Sequence, residues 1–469
     1  MLPTLLCLLF CNSVLATPST WKSKIDQVIK DELKTVNVDS SDFGIWVARG
    51  DQSVGHNSTQ LMTPASLSKI PTALTVLEKF PLDHKFKTWV YHTGQIKEGV
   101  LEGDLYLKGG GDPTFVTESL WLLIEKLKRW DLRKIKGQVY VDESYFDSEY
   151  YSNGRQEKRV DRAYDAPVSA LSFNWNALSI YIRPGHRVGA AARVYLDPDL
   201  PFVEVRNRAK TIRGQDTRLR VDRLLTDKGI VLNVRGDISH TKDEKAFYKS
   251  IGDAALWTGE VFKQRLNQAG VRYDGDIKKG VTPATAQLLE EFDSWSMTRV
   301  MAALSKFSNN YVAEMLTKHL GKKEGSPANI QDGLNAIVAF LKKNNWKDSE
   351  FIFENPSGFT RNNKMRADRL GELLQKAQQN FQLAPEFLTS LPISGTDGTL
   401  KSRMKQTMRG KVRAKTGYLT GVVGLAGYLE SPQGGEPMIF VFMYNGPYKQ
   451  DWNVRAMFNR LLWRIYQKS

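Results

Sequence analysis

The chain has 469 residues and a formal net charge of +15, from 66 Lys and Arg against 51 Asp and Glu. That length exceeds what one hydrophobic core organises, so two or three compact units are expected. The cations are scattered among acids without a long basic tract, which argues against a nucleic-acid reader.

The first sixteen residues lack charged side chains and run Leu5-Leu6-Cys7-Leu8-Leu9-Phe10 into Val14-Leu15-Ala16. This pattern reads as a secretory signal peptide cleaved after Ala16. Both cysteines, Cys7 and Cys11, fall inside it, so the mature chain carries no thiol. Thiol catalysis, disulfides and cysteine-metal sites are excluded, and bulky Phe10 argues against lipidation at Cys11. After export, the positive charge suits peripheral contact with an anionic polymer or an anionic membrane surface.

Next, Trp21, Ile25, Val28, Ile29 and Leu33 share a helical face, which predicts an amphipathic helix. A strand is expected at Phe43–Ala48 with a turn at Gly50-Asp51, and then a buried helix that Ser66 opens and Pro71 kinks. From about Lys85 to Val281, short alternating runs such as Leu105–Leu107, Val139–Val141 and Ile180–Ile182 predict a β-rich insertion. Helical spacing returns at Met297, Val300, Met301 and Leu304 and again from Val312 to Leu320. Between these runs, at a helix junction, stands Ser308-Asn309-Asn310. Lys411–Tyr418, Gly421–Leu429 and Met438–Tyr444 read as successive antiparallel strands. A last amphipathic helix turns Val454, Met457, Phe458, Leu461, Leu462 and Ile465 inward.

Ser-x-x-Lys occurs at Ser19, Ser66, Ser239 and Ser402. Only Ser66-Leu67-Ser68-Lys69 opens an apolar helix, where residues three apart lie within reach and the dipole favours a developing alkoxide. A lysine accepts a proton only when neutral, and another group must return that proton to the leaving amine. Ser308 offers a hydroxyl for that relay and Asn310 an amide to orient a substrate. A competing Ser172-Phe173-Asn174 lacks the helix-junction setting. Lys415-Thr416-Gly417 occurs once, on a strand that turns Lys415 and Gly417 to one side and Thr416 to the other. There a lysine attracts a carboxylate, a glycine admits a substrate backbone, and the N–H groups of Ser66 and Tyr418 suit an oxyanion. The six histidines show no metal-ligand spacing, and Gly109–Pro113 lacks the ending of a phosphate loop.

In this order, Ser66-x-x-Lys69, Ser308-x-Asn310 and Lys415-Thr416-Gly417 resemble the three motifs of serine penicillin-binding proteins and β-lactamases. The long interval between Ser66 and Ser308 resembles the D-alanyl-D-alanine carboxypeptidase/endopeptidase family, the penicillin-binding protein 4 type. Gly111-Asp112-Pro113-Thr114 and Ser357–Arg361 add local likenesses. The resemblance implies an α/β fold in which a transpeptidase-like domain, an antiparallel sheet flanked by helices, is split by the insertion. The division would be a signal at 1–16, the domain's halves at 17–84 and 286–469, and the insertion at 85–285.

It further implies Ser66 as nucleophile, Lys69 as base, Ser308 as relay, and Asn310, Lys415, Thr416, Gly417 and Tyr418 as substrate-binding, without cofactor or metal. Asp142 and Arg361 match a subsite for a diaminopimelate side chain, while Thr420 departs from the longer amide of some relatives. Peptidoglycan stems and cross-links would be substrates, β-lactams acylating inhibitors, and the periplasm the location. A β-lactam or ester hydrolase of the same fold, or an idle wall-binding protein, are the alternatives.

Overall fold

The computed structural model describes residues 20–152, 161–227 and 229–469. The segment read as a signal peptide, with Cys7 and Cys11, lies outside the described residues. Among the described residues no helix is long and apolar enough to cross a membrane.

Five strands form the sheet that carries the site: β1 (Phe43–Arg49), β2 (Gln52–His56), β3 (Val412–Leu419), β4 (Val422–Leu429) and β5 (Met438–Asn445). Their order is β2-β1-β5-β4-β3, antiparallel throughout, so the first and last thirds of the sequence share one sheet. Strand alternation sorts β1 between two cores. Phe43, Ile45 and Val47 meet helices α1 (Trp21–Leu33) and α6 (Asp451–Lys468), while Trp46 and Ala48 face the other layer. That second layer holds α2 (Lys69–Lys79), α3 (Met297–Lys306), α4 (Asn310–Leu320) and α5 (Ala367–Gln379).

Of the residues expected to turn inward on α1 and α6, Ile25, Val28, Ile29 and Leu33, and Val454, Met457, Phe458, Leu461, Leu462 and Ile465, are buried, while Trp21 at the start of α1 is only partly so. Phe442 on β5 is fully buried against Phe458, and truncating it to Ala would cost about 3–5 kcal/mol.

The chain between α2 and α3 has its own hydrophobic core. A five-stranded mixed sheet orders Ile277–Lys279, Val139–Asp142, Leu105–Gly109, Lys87–His92 and Gln287–Asp293 from edge to edge. Smaller sheets gather around Ala177–Arg183 and Gly229–Ser239. Two features depart from expectation. Helices at Thr117–Lys128 and Ala254–Gln268 stand within the strand-rich stretch, because Leu120, Leu123, Ile124 and Leu127 form a helical face that exposed Trp121 and Leu122 blur. The inserted sheet also runs past 285, since Gln287–Asp293 pairs with Lys87–His92.

Candidate active site

Ser66 lies in a 3₁₀ turn, Ala65–Ser68, and α2 begins only at Lys69. This corrects the expected α-helical start. Ala65 enters the turn at φ 47°, and tighter winding brings residues three apart into register. Lys69 Nζ accordingly donates to Ser66 Oγ at 3.1 Å. Pro71, expected to kink the helix, falls in the first turn of α2, where a missing N–H costs least, and α2 continues to Lys79.

Ser308 occupies the junction between α3 and α4 with φ 54°, a left-handed backbone that a non-glycine residue holds only under local constraint. Its neighbour Asn309 caps α4, the side chain accepting from Val312 N at 3.4 Å. The capping task therefore falls between the two motif residues and leaves both for other contacts. Asn310 Oδ1 accepts from Lys69 Nζ at 2.8 Å, and its Nδ2 donates to the Tyr164 carbonyl at 3.3 Å.

Strand β3 brings the third motif. Lys415 Nζ donates to Ser308 Oγ at 2.7 Å and to the Thr416 carbonyl at 2.8 Å. Thr416 Oγ1 donates to Thr399 Oγ1 at 2.9 Å. Gly417 lies so close to the nucleophile turn that an added Cβ would stand 2.8 Å from Pro64 O and 3.4 Å from Ser66 N. Glycine here lets β3 pack directly on the backbone of Ser66. The Tyr418 ring is half-exposed and sits 4.2 Å from the Arg455 guanidinium.

Both lysines are about 1% exposed. Burial pushes Lys415 down from 10.5 to about 7, because desolvation disfavours the ammonium. An arriving carboxylate would reverse that cost by supplying the opposite charge.

Sequence reasoning missed the Ser357 carbonyl, which accepts from Lys69 Nζ at 2.5 Å and from Ser66 Oγ at 3.4 Å. The Ser357 hydroxyl donates to Asn355 Oδ1 at 2.7 Å. Gly358, at φ 72°, closes this loop onto the turn, and a Cβ there would overlap the Ala65 carbonyl at 1.9 Å. A backbone acceptor has no residue-type signature; the Ser357-Gly358 pair was its one visible trace. The competing Ser172-Phe173-Asn174 serves the insertion instead, with Asn174 Oδ1 accepting from Thr117 N at 3.1 Å.

Asp142 and Arg361 stand differently. The Asp142 side chain is fully covered; Oδ1 accepts from Ser144 N at 2.9 Å, Oδ2 from Thr282 N at 2.8 Å, and Lys108 Nζ lies 3.4 Å away. Burial raises its carboxyl pKa, but the hydrogen bonds from Ser144 and Thr282 outweigh it and hold the group below the usual range. Both oxygens already serve the insertion's own loops. Arg361 is exposed, and its guanidinium donates to the Thr420 carbonyl on the turn after β3. The Thr420 backbone, not its side chain, makes that contact.

A serine beside a buried lysine, a second serine on a second buried lysine, and a strand against the nucleophile's own backbone, all on an antiparallel sheet between helices, define a serine acyl-transfer enzyme. The sequence matches the D-Ala-D-Ala carboxypeptidase 3 (S13) family over residues 22–461, and the chain belongs to that family. It is 30% identical to the D-alanyl-D-alanine carboxypeptidase of Actinomadura sp. (strain R39) over 442 residues, 91% of this chain and 81% of that protein. It is 24% identical to the D-alanyl-D-alanine carboxypeptidase DacB of Haemophilus influenzae, over 83% of this chain and 82% of that one. The fold is similar to the crystal structure of penicillin binding protein 4 from Haemophilus influenzae, with TM-score 0.77 at 22% identity, over 94% and 98% of the two chains. A structure of that protein complexed with a β-lactam gives TM-score 0.73. The chain is thus a serine-type D-Ala-D-Ala carboxypeptidase acting on peptidoglycan.

Proposed function

We propose that Ser66 is the nucleophile and that the enzyme cleaves peptidoglycan cross-links as well as trimming terminal D-alanine. The observation that carries this reading is the Ser66–Lys69–Asn310 chain of contacts at 3.1 and 2.8 Å beside the Ser308–Lys415 pair at 2.7 Å. Ser66 Oγ attacks the D-alanyl carbonyl carbon while Lys69 takes the hydroxyl proton. The N–H groups of Ser66 and Tyr418 stabilise the oxyanion. Ser308, hydrogen-bonded to Lys415, gives its hydroxyl proton to the departing amine as the C–N bond breaks, the proton taken up by Lys69 replaces it, and the ester with Ser66 remains. Water then hydrolyses that ester and restores Ser66. Asn310 holds the substrate amide, and Lys415 with Thr416, next to Gly417, receives the carboxylate of the leaving residue.

A cross-link and a stem terminus present the same D-alanyl carbonyl, so chemistry at Ser66 serves both. β-Lactams acylate Ser66 as stalled substrates, in keeping with the β-lactam complex of the Haemophilus relative. Arg361, exposed beside the Thr420 turn, meets the charged end of a diaminopimelate side chain, whereas Asp142 acts through the loops it ties at Ser144 and Thr282. The working units are 17–84 and the chain from α3 onward, interrupted by an insertion that begins near 85 and takes in the strand Gln287–Asp293. Residues 1–16 direct export to the periplasm, where the positive charge of the chain favours contact with anionic wall material.

Incubation with cross-linked muropeptide dimers and, separately, with pentapeptide monomers tests the reading. Both should be cleaved. Intact dimers beside trimmed pentapeptides would restrict the enzyme to carboxypeptidase activity.

A further inference from the structure

The segment leading into β3 reads Leu400-Lys-Ser-Arg-Met404-Lys-Gln-Thr-Met408-Arg-Gly-Lys-Val412 and carries five cations without one acid. Leu400, Met408 and Val412 are fully buried and Met404 packs against the same core, so an apolar side chain every fourth residue pins this irregular stretch down. Three of the intervening cations are left outside. Lys401, Lys405 and Arg409 are exposed, and among the described residues no carboxylate pairs with them. Only Lys411 does, reaching Glu430 at 2.5 Å.

Two more guanidiniums join them. Arg403 donates to Asn459 Oδ1 at 2.7 Å on α6 and has no carboxylate partner among the described residues. Burial, aided by the like charge of Arg455, pushes Arg403 down to about 10. Arg455 lies between rings, 4.2 Å from Tyr418 and 5.1 Å from Trp452, which is 78% exposed. Like charges left unneutralised side by side mark a surface that awaits an anion. Thr399, just before the segment, touches Thr416, so the surface begins at the proposed carboxylate pocket.

We propose that the exposed Lys401, Lys405 and Arg409, backed by the partly buried Arg403 and Arg455, form a docking surface for the carboxylates of neighbouring peptide stems in intact wall. The surface holds the enzyme on a polymer that presents many stems while a single stem occupies Ser66. This rests on the active-site reading above and adds the partner's chemistry. Single exposed pairs contribute little, so the effect comes from several weak contacts at once and is screened by salt.

The test compares the parent, a neutral K401Q/K405Q/R409Q variant and a charge-retaining K401R/K405R/R409K variant. Each is measured for co-sedimentation with purified sacculi at low and high salt, for turnover of soluble pentapeptide, and for penicillin labelling. The neutral variant should bind sacculi about tenfold more weakly at low salt and lose most of its salt dependence. Its pentapeptide turnover and labelling should match the parent, and the charge-retaining variant should bind as the parent does. Loss of labelling in the parent would instead strike at the active-site reading. Unchanged sedimentation of the neutral variant overturns the proposal. So does parent binding of equal strength to glycan stripped of its peptides or to anionic phospholipid vesicles, because the stem carboxylates would then be irrelevant.

Discussion

The sheet-and-helix region and the inserted region each received candidate residues from the sequence, and they use them differently. In the first, side chains far apart in the chain converge: Lys69 meets Asn310, and Lys415 meets Ser308. In the second, Asp142 spends both carboxylate oxygens on backbone donors within its own surroundings. The difference teaches that buried polar side chains that meet one another build a site, whereas a buried carboxylate taken up by backbone N–H groups, here those of Ser144 and Thr282, holds a shape.

The largest break in this comparison comes from the converging side. Ser66→Ala should reduce turnover of pentapeptide by about 10⁴-fold or more, measured as D-alanine release, while the fold persists because the lost hydroxyl is small. Comparable activity in the variant would remove Ser66 from the chemistry.

Lys415 comes next. Burial places it at about 7, so it is charged below that pH and neutral above it. For a substrate ending in a carboxylate, kcat/KM should fall as pH rises through about 7, and an analogue lacking that carboxylate should show no such limb. Identical profiles for the two substrates would mean that Lys415 does not receive the carboxylate. Lys415→Gln should lower kcat/KM about 10²-fold on the carboxylate substrate. Stability carries the same signature with opposite sense. Between about 7 and 10.5 the unfolded chain binds the Lys415 proton and the folded one does not. The cost of burying this lysine is therefore full below pH 7 and fades as pH rises.

Gly417→Ala sharpens the packing side of the account. The new methyl would press on Pro64 O at 2.8 Å, so β3 and the Ser66 turn must part. A loss of about 1–3 kcal/mol in denaturant unfolding, with a larger proportional loss in acylation rate, is expected. Unchanged acylation would show that the spacing of β3 from Ser66 is not critical.

The smallest effect separates Arg361 from Asp142. Arg361→Gln should slow natural diaminopimelate stems a few-fold, about 1 kcal/mol, and leave a generic D-alanyl-D-alanine ester untouched. Asp142→Asn should instead lower thermal stability and affect both substrates alike, because it disturbs the Ser144 and Thr282 contacts. A selective loss on natural stems from Asp142→Asn would return that residue to direct substrate contact.

Much of the molecule was legible because its signals are periodic. The faces of α1 and α6 and the three terminal strands follow from apolar spacing alone, and their buried residues match. The convergence of Ser66, Lys69, Ser308, Asn310 and Lys415 was legible because each is a side chain within a motif. The site was illegible where backbone does the work. The Ser357 carbonyl on Lys69 and the positive φ of Ala65 and Ser308 depend on how distant loops close, which no local pattern encodes. The helix at Thr117–Lys128 was hidden for a different reason: Trp121 and Leu122 expose apolar surface on the side that should be polar.

The central claim is that one serine, held by Lys69 against the strand of Lys415, is the group that becomes acylated. Labelling the purified enzyme with penicillin and mapping the modified peptide tests it most directly. The account predicts a single adduct on Ser66, abolished by Ser66→Ala. An adduct on Ser308, or none on protein that still releases D-alanine, would contradict it.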